Sequence, residues 1–213
     1  MEKYIEIYPG EYFTEKIKKP VRNKQDIILL LLETIKIIID HVEDHTAGQS
    51  KVILCKDKMS RVFYETKDKY FSIGFPFYIE KKNGSYRIYD KITELEIDSR
   101  RLSMLIRVFS SESHMSQSLE SMIDDILEVA EDYEYQNINE VWYLVFLLWH
   151  MEEGYIRYDY DPIYEKARTH PLNHLDINYS SDITYKIGMN RKISIKEFMN
   201  ILDIKEECAF LAG

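Results

Sequence analysis

Apolar and polar positions change their rhythm several times along this chain, and each rhythm predicts a different element. Residues 1–20 read as an extended lead-in, with a turn at Pro9-Gly10 and a basic KIKKP ending at Pro20. From 24 to about 44 the pattern is helical. Asn23 is placed to cap this helix, and Asp26 suits its first turn. Residues 27–39 are apolar apart from Glu33, Thr34 and Lys36, so this helix is expected to be central and buried. Residues 51–98 turn to β-branched and aromatic runs: KVILCK, RVFYET, YFSIGFPFYIE and YRIYD. These predict an antiparallel meander of about four strands. Asn83-Gly84 marks a hairpin within it, and Pro76 points to an edge or a bulge in the third run.

Between 99 and 150 the period becomes helical. Leu119, Met122, Ile123, Ile126, Leu127, Ala130 and Tyr133 recur at three- and four-residue spacing, the stripe an amphipathic helix buries. Residues 141–149, VWYLVFLLW, have no period and are expected as a buried helix, with Asn139 as a possible cap and Gly154 shortly beyond its end. Strand patterning returns over 155–189. Ser194 and Glu197 then form a capping box for a last helix reaching about Leu202. The expectation is a single α+β domain over 1–213: an antiparallel sheet, a central buried N-terminal helix and a helical middle.

Composition narrows the class. Sparse Gly (7) and Pro (5) leave little room for long linkers, and 45% hydrophobic residues can build a core. Cys55 and Cys208 are the only cysteines, without zinc spacing, which suits a reducing compartment. The start, MEKYIEIYPGEYF, lacks the pattern of a signal peptide, and no apolar run reaches the roughly 18 residues of a spanning helix. A cytoplasmic protein without membrane contact is expected.

The net charge of −9 is unevenly placed. No Lys or Arg occurs between Arg107 and Arg157, an interval holding eleven acids. Asp124, Asp125, Glu128 and Asp132 lie away from the apolar stripe and are candidates for binding a protein partner with a basic surface. A solvated helix face is the plainer account. Nucleic acid is disfavoured on such a face by its own phosphates.

Candidate chemistry gathers at 154–179, GYIRYDYDPIYEKARTHPLNHLDINY. In a strand, residues i, i+2 and i+4 share a face. Arg157, Asp159 and Asp161 would line one face of a first strand, and His174, Asp176 and Asn178 one face of a second. Ile156, Tyr158, Tyr160, Leu175, Ile177 and Tyr179 would form the apolar side. Arg157, Asp159, Asp161, His170 and His174 are thus candidate catalytic residues, and Asp159, Asp161 and His174 candidate ligands for a divalent metal. Cross-strand pairing on a solvated sheet face is the competing account. Other constellations are weaker. Asp57 with Glu65 and Lys67 has a D…E-x-K shape, but Glu80 and Lys82 repeat E-x-K by chance. His41 and His45, near Asp40 and Asp44, read as a solvated helix end, and His150 with Glu153 as a helix terminus. Glycine-rich phosphate loops, G-x-S-x-G and C-x-x-C are absent.

R-Y-D-Y-D, then H-P-x-x-H-L-D-I, then I-S-I-K-E-F, over roughly 155–203, resembles the C-terminal half of an uncharacterised bacterial family of unknown function. The resemblance implies a setting in bacterial or phage defence, or in toxin–antitoxin loci. Where that pattern often carries a further histidine, this chain has Asp176, which counts against a two-histidine chemistry. The resulting expectation is a protein-interaction component acting through the acidic helical surface, with no cofactor. The alternative is a small metal-dependent hydrolase or nuclease using the 157–174 residues.

Overall fold

The computed structural model describes residues 3–40, 50–56, 59–82, 84–111 and 119–210. His41, Asp44, His45, Asp57 and Asn83 lie outside them. In chain order the elements begin β1 (Tyr4–Ile7), α1 (Glu11–Lys18), α2 (Lys24–Asp40), β2 (Lys51–Cys55), β3 (Arg61–Glu65) and β4 (Lys69–Gly74). They continue β5 (Tyr78–Lys82), β6 (Ser85–Tyr89), α3 (Ser99–Ser110), α4 (Leu119–Asp132) and α5 (Ile138–His150). The chain ends with β7 (Ile156–Tyr160), β8 (Asn173–Ile177), β9 (Tyr185–Gly188) and α6 (Ile195–Leu202). The fold is α+β.

Contacts divide the chain into two compact units. The first takes Met1–Arg22, Glu43–Phe75 and Glu153–Gly213, the second Asn23–Val42 and Pro76–Glu152. In the first unit, seven strands pair antiparallel in the order β1-β2-β3-β4-β7-β8-β9. One face of this sheet packs Ile53, Phe63, Tyr70, Tyr158 and Leu175 with Ile193 and with Phe198 and Met199 of α6. Phe198 meets the Phe63 ring edge-on at 6.1 Å, and Tyr158 stacks on Tyr70 at 5.3 Å. The capping box at Ser194 and Glu197 starts α6 as expected.

The second unit is built on α2. Its side chains Ile27, Ile28, Leu31, Leu32 and Ile35 are buried, and α3, α5 and β6 pack against it. The expected cap is present: the Asn23 side chain accepts from the Asp26 N–H at 2.8 Å, and the Asp26 carboxylate from the Asn23 N–H at 3.3 Å. β5 and β6 form a separate hairpin in which Gly84 takes φ +86°, the left-handed backbone a tight hairpin turn requires.

Four local expectations change. Residues 1–20 hold β1 and α1 instead of an extended lead-in. Short α1 buries only Phe13, Thr14 and Ile17, too few apolar positions to show a period. The third β run is two strands: Pro76 falls between β4 and β5, which belong to different sheets. On α4 the buried positions are Ile126, Val129 and Ala130, whereas Ile123 and Leu127 are exposed. The stripe is therefore rotated toward Val129, and the Leu119 side chain lies outside the described residues. Residues 141–149 do form a helix, but Phe146 faces solvent and the rest is not buried all round.

Gly154 leads into β7 with φ +52°, and a Cβ there would stand 2.7 Å from Arg61 Nη2. That guanidinium donates to the Gly154 carbonyl at 2.8 Å and to Ser72 Oγ at 3.2 Å. Beside it the Gly74 N–H donates to the Glu153 carbonyl at 2.7 Å. Gly154→Ala should therefore cost about 1–2 kcal/mol of backbone strain, plus whatever the displaced guanidinium loses. The urea midpoint should drop without a change in slope; an unchanged midpoint would show that this turn tolerates a side chain.

Candidate functional site

Register decides what the sheet brings together. Lys69, Asp159, His174 and Gly188 form one cross-strand row over β4, β7, β8 and β9, and Phe71, Arg157, Asp176 and Lys186 form the next. The second row continues through Tyr64, Val52 and Ile7. One sheet face is thus apolar on β1 to β4, apart from Lys69, and ionic on β7 to β9.

The ionic half is closely paired. Arg157 Nε donates to Asp159 Oδ2 at 2.7 Å, and its Nη2 donates to Asp176 Oδ2. Lys186 Nζ donates to Asp176 Oδ1 at 2.5 Å and to His174 Nε2 at 3.0 Å. His174 Nδ1 lies 2.7 Å from the Pro171 carbonyl. A carbonyl only accepts and an ammonium only donates, so the ring is neutral with its proton on Nδ1. Its Nε2 lone pair points into the cluster, 3.7 Å from Asp159 Oδ2 and 3.8 Å from Asp176 Oδ1.

Burial sets the electrostatics. His174 is fully buried and Asp176 nearly so, while Arg157, Asp159 and Lys186 keep about a fifth to a quarter of their side-chain exposure. Burial works against the Arg157 charge, but the neighbouring Asp159 and Asp176 carboxylates outweigh it and hold the guanidinium firmly protonated. Burial lowers the His174 pKa, and the Lys186 charge lowers it further. Lys69 is pushed down to about 8 by burial and by Arg157. Its ammonium nevertheless donates to the carbonyls of Ile17 at 2.6 Å and Lys18 at 3.1 Å, at the end of α1. It serves as a helix C-terminal cap.

Of the candidates, Arg157, Asp159 and His174 meet in this cluster. His170 and Asp161 form an adjoining pair: His170 Nε2 lies 3.0 Å from Asp161 Oδ2, and the two histidine rings meet edge-on at 4.6 Å. Asp161 also accepts from the Ile163 and Tyr164 N–H groups, which together with His170 lower its pKa against the opposing effect of burial. Asp161 is occupied in holding its loop. Among the described residues, the group within ligand distance of one cation is Asp159, His174 and Asp176, with ligand atoms all within 4.8 Å of one another. Asp176 takes the place expected for Asp161.

The face is buried at His174 and Asp176 and half-buried at Arg157, Asp159 and Lys186, and it carries the cross-strand ion pairs that the solvated-face account predicted. Asn178 leaves the pattern: β8 ends at Ile177, and Asn178 has φ +67°. Tyr179 then turns toward Tyr155, their rings edge-on at 5.8 Å, and is lost to the apolar side. Sequence reasoning missed Lys186 and Lys69. An opposite-charge pair across β8 and β9 is the signal that could have found Lys186; Lys69 sits opposite Asp159 only because β4 pairs with a strand ninety residues on.

The described residues of the remaining constellations make other contacts. Glu65 and Lys67 line a 290 Å³ cavity with Tyr8, Ser50, Lys51, Thr66 and Tyr70, where burial raises the Glu65 pKa. Glu80 pairs with Arg87 at 3.1 Å on the exposed hairpin. His150 Nδ1 lies 2.9 Å from the Phe146 carbonyl, a helix-end contact. Asp124, Glu128 and Asp132 are exposed on α4, and Arg107 of α3 bridges Glu128 and Asp132. Asp125 is half-buried.

Two outcomes test the electrostatics. Asp176→Asn leaves Arg157 and Lys186 facing too little negative charge, and should cost about 3 kcal/mol, the low end for a buried pair because both cations retain some solvent. An effect below 1 kcal/mol, by denaturant titration, would place the cluster in water-like surroundings. His174 has a folded pKa below its ordinary 6.5, so the unfolded chain binds the proton first. Stability should fall as pH drops below about 6.5, down to the depressed folded value, and His174→Gln should lose that component. Identical pH profiles for the two proteins would remove His174 from the account.

Compared with known proteins, the chain matches no family model, no curated protein and no solved structure.

Proposed function

We propose that this protein is an interaction component whose acidic helical unit engages a basic surface of a protein partner. The observation that carries the reading is the division of charge. The second unit holds 9 Lys and Arg against 18 Asp and Glu, the whole net charge of −9, while the first unit holds 19 of each. An excess of one sign steers an oppositely charged partner and speeds its encounter. On α4 the acids Asp124, Glu128 and Asp132 are exposed, with Arg107 offsetting only part of their charge. Among the described residues no helix is long and apolar enough to cross a membrane. A cytoplasmic place in a bacterial or phage defence or toxin–antitoxin system belongs to the same proposal, supported by the resemblance of residues 155–203.

The second reading is a divalent metal centre for hydrolysis at Asp159, His174 and Asp176. What favours it is their spacing, together with the Nδ1–H of His174 resting on a carbonyl, as metal-bound histidines are held. Against it, Lys186 already fills the Nε2 lone pair and Arg157 both carboxylates. An all-protein charge balance needs no ion.

Two measurements separate the readings. Asp124→Lys, Glu128→Lys and Asp132→Lys together should abolish a salt-sensitive complex with a basic partner while leaving the circular dichroism spectrum unchanged; undiminished binding would reject the surface. Manganese, magnesium and zinc should each leave the melting temperature nearly unchanged. A metal-dependent rise that disappears in Asp159→Asn, by the mass-action stabilisation a bound ligand gives, would favour the second reading.

A further inference from the structure

The sheet face opposite the ionic rows ends in a cavity. Lys51 stands across from Glu65 in the β2–β3 pairing, and Glu65 across from Tyr70 in the β3–β4 pairing. Tyr8, one residue past β1, extends the same row on the other side of Lys51. Residues directly opposite one another share a sheet face, and Tyr70 packs with Phe63 and Phe198 on the α6 side. These four side chains, with the segment 66–67 and Ser50, bound the 290 Å³ cavity, the size of a small-ligand site.

Most polar groups around it are engaged by the protein itself. Lys51 Nζ, although opposite Glu65, goes to Glu6 Oε2 at 2.6 Å. The Ser50 and Thr14 hydroxyls share a hydrogen bond at 2.5 Å, and Thr66 Oγ1 donates to the Lys69 carbonyl at 2.9 Å. Glu65 is left over. It is half-buried and has neither a hydrogen bond nor an ion pair among the described residues. The Tyr70 hydroxyl, on a side chain only 7% exposed, has no hydrogen-bond partner among them either. A carboxylate drawn from water without a partner is costly, and burial raises the Glu65 pKa more than the Lys51 charge lowers it.

We propose that this cavity binds a small organic cation, a primary ammonium on a compact apolar body, with the Glu65 carboxylate as counter-ion and the Tyr8 and Tyr70 rings as walls. The ammonium donates to the carboxylate, and the faces of the phenol rings attract its charge. An anion would meet Glu65 and find Lys51 already taken by Glu6. A divalent metal requires several oxygen ligands, and Glu65 is the single carboxylate lining the cavity. Lys67 is exposed, so solvent screens its charge from a bound cation. The site lies in the sheet unit and is independent of the acidic helical surface.

Calorimetric titration of the full chain at neutral pH with phenethylamine, and with phenethyl alcohol as its uncharged counterpart, tests the site. The amine should bind about tenfold more tightly than the alcohol, the scale of one charge-assisted hydrogen bond. Glu65→Gln should remove that preference while leaving the melting temperature unchanged or higher, because the carboxylate has no protein partner to lose. Tyr8→Ala, at an exposed wall, should weaken amine binding severalfold with an unchanged circular dichroism spectrum. Equal affinity for amine and alcohol, no amine binding at millimolar concentration, or a preference that survives Glu65→Gln would each overturn the proposal. A clear drop in the melting temperature of Glu65→Gln would overturn it too, by showing that the protein itself pairs this carboxylate.

Discussion

Two carboxylates taken out of water on the face of a sheet must be matched by cations, and that requirement governs the C-terminal strands. Asp176 is almost wholly buried, and the desolvation cost of such a group is recovered only if its partners sit in the right place. Arg157 reaches one of its oxygens from β7 and Lys186 the other from β9, so the ion is gripped from both neighbouring strands. A slip of one residue in either pairing would turn these cations to the opposite face and set Tyr158 or Ile187 against a naked carboxylate. The cluster therefore selects a register as much as it adds stability. His174 completes it as a neutral acceptor, which is why its burial is tolerable and its protonation is not.

The two units meet the problem of charge in opposite ways. The sheet unit carries equal numbers of each sign, and on β7 to β9 it sets them side chain against side chain. The helical unit keeps an apolar interior around α2 and carries an unbalanced acidic exterior. Self-repulsion on that exterior has a cost that α4 can bear because its carboxylates are solvated and one guanidinium, Arg107, spans two of them.

Legibility in the sequence followed the range of the interaction involved. α2 and α6 could be read because burial on nearly all sides, a capping residue or a capping box is written within a few positions. α5 was legible from its unbroken apolar run, although the expected cap Asn139 lies inside the helix. Alternation brought Arg157 and Asp159 to one face, and their meeting with His174 followed from the neighbouring strand. Asp176 could be placed on that face, but its dominance over Asp161 depends on Lys186, and nothing in the stretch between Tyr179 and Thr184 announces the β8–β9 register. The β4–β7 pairing is still more remote. α1 was missed because eight residues with three buried positions do not establish a period, and the α4 stripe was misplaced by one position because Ile123 and Leu127 are as apolar as Val129. Hydrophobicity alone does not say which of them faces inward.

The pairing of β4 with β7 also has a temporal side. Residues 76–152 all lie between two strands that are neighbours in the sheet, and the chain leaves and re-enters next to the Gly74–Glu153 hydrogen bond. During synthesis β1 to β4 emerge with the β4 edge open, and residues 76–152 must be made before the strand that covers that edge appears. Chain closure over such a span is entropically slow, and an uncovered aromatic-rich edge invites pairing with other chains in the meantime. Lys69, at the start of β4, keeps a charge on that edge until β7 arrives with Asp159 opposite it.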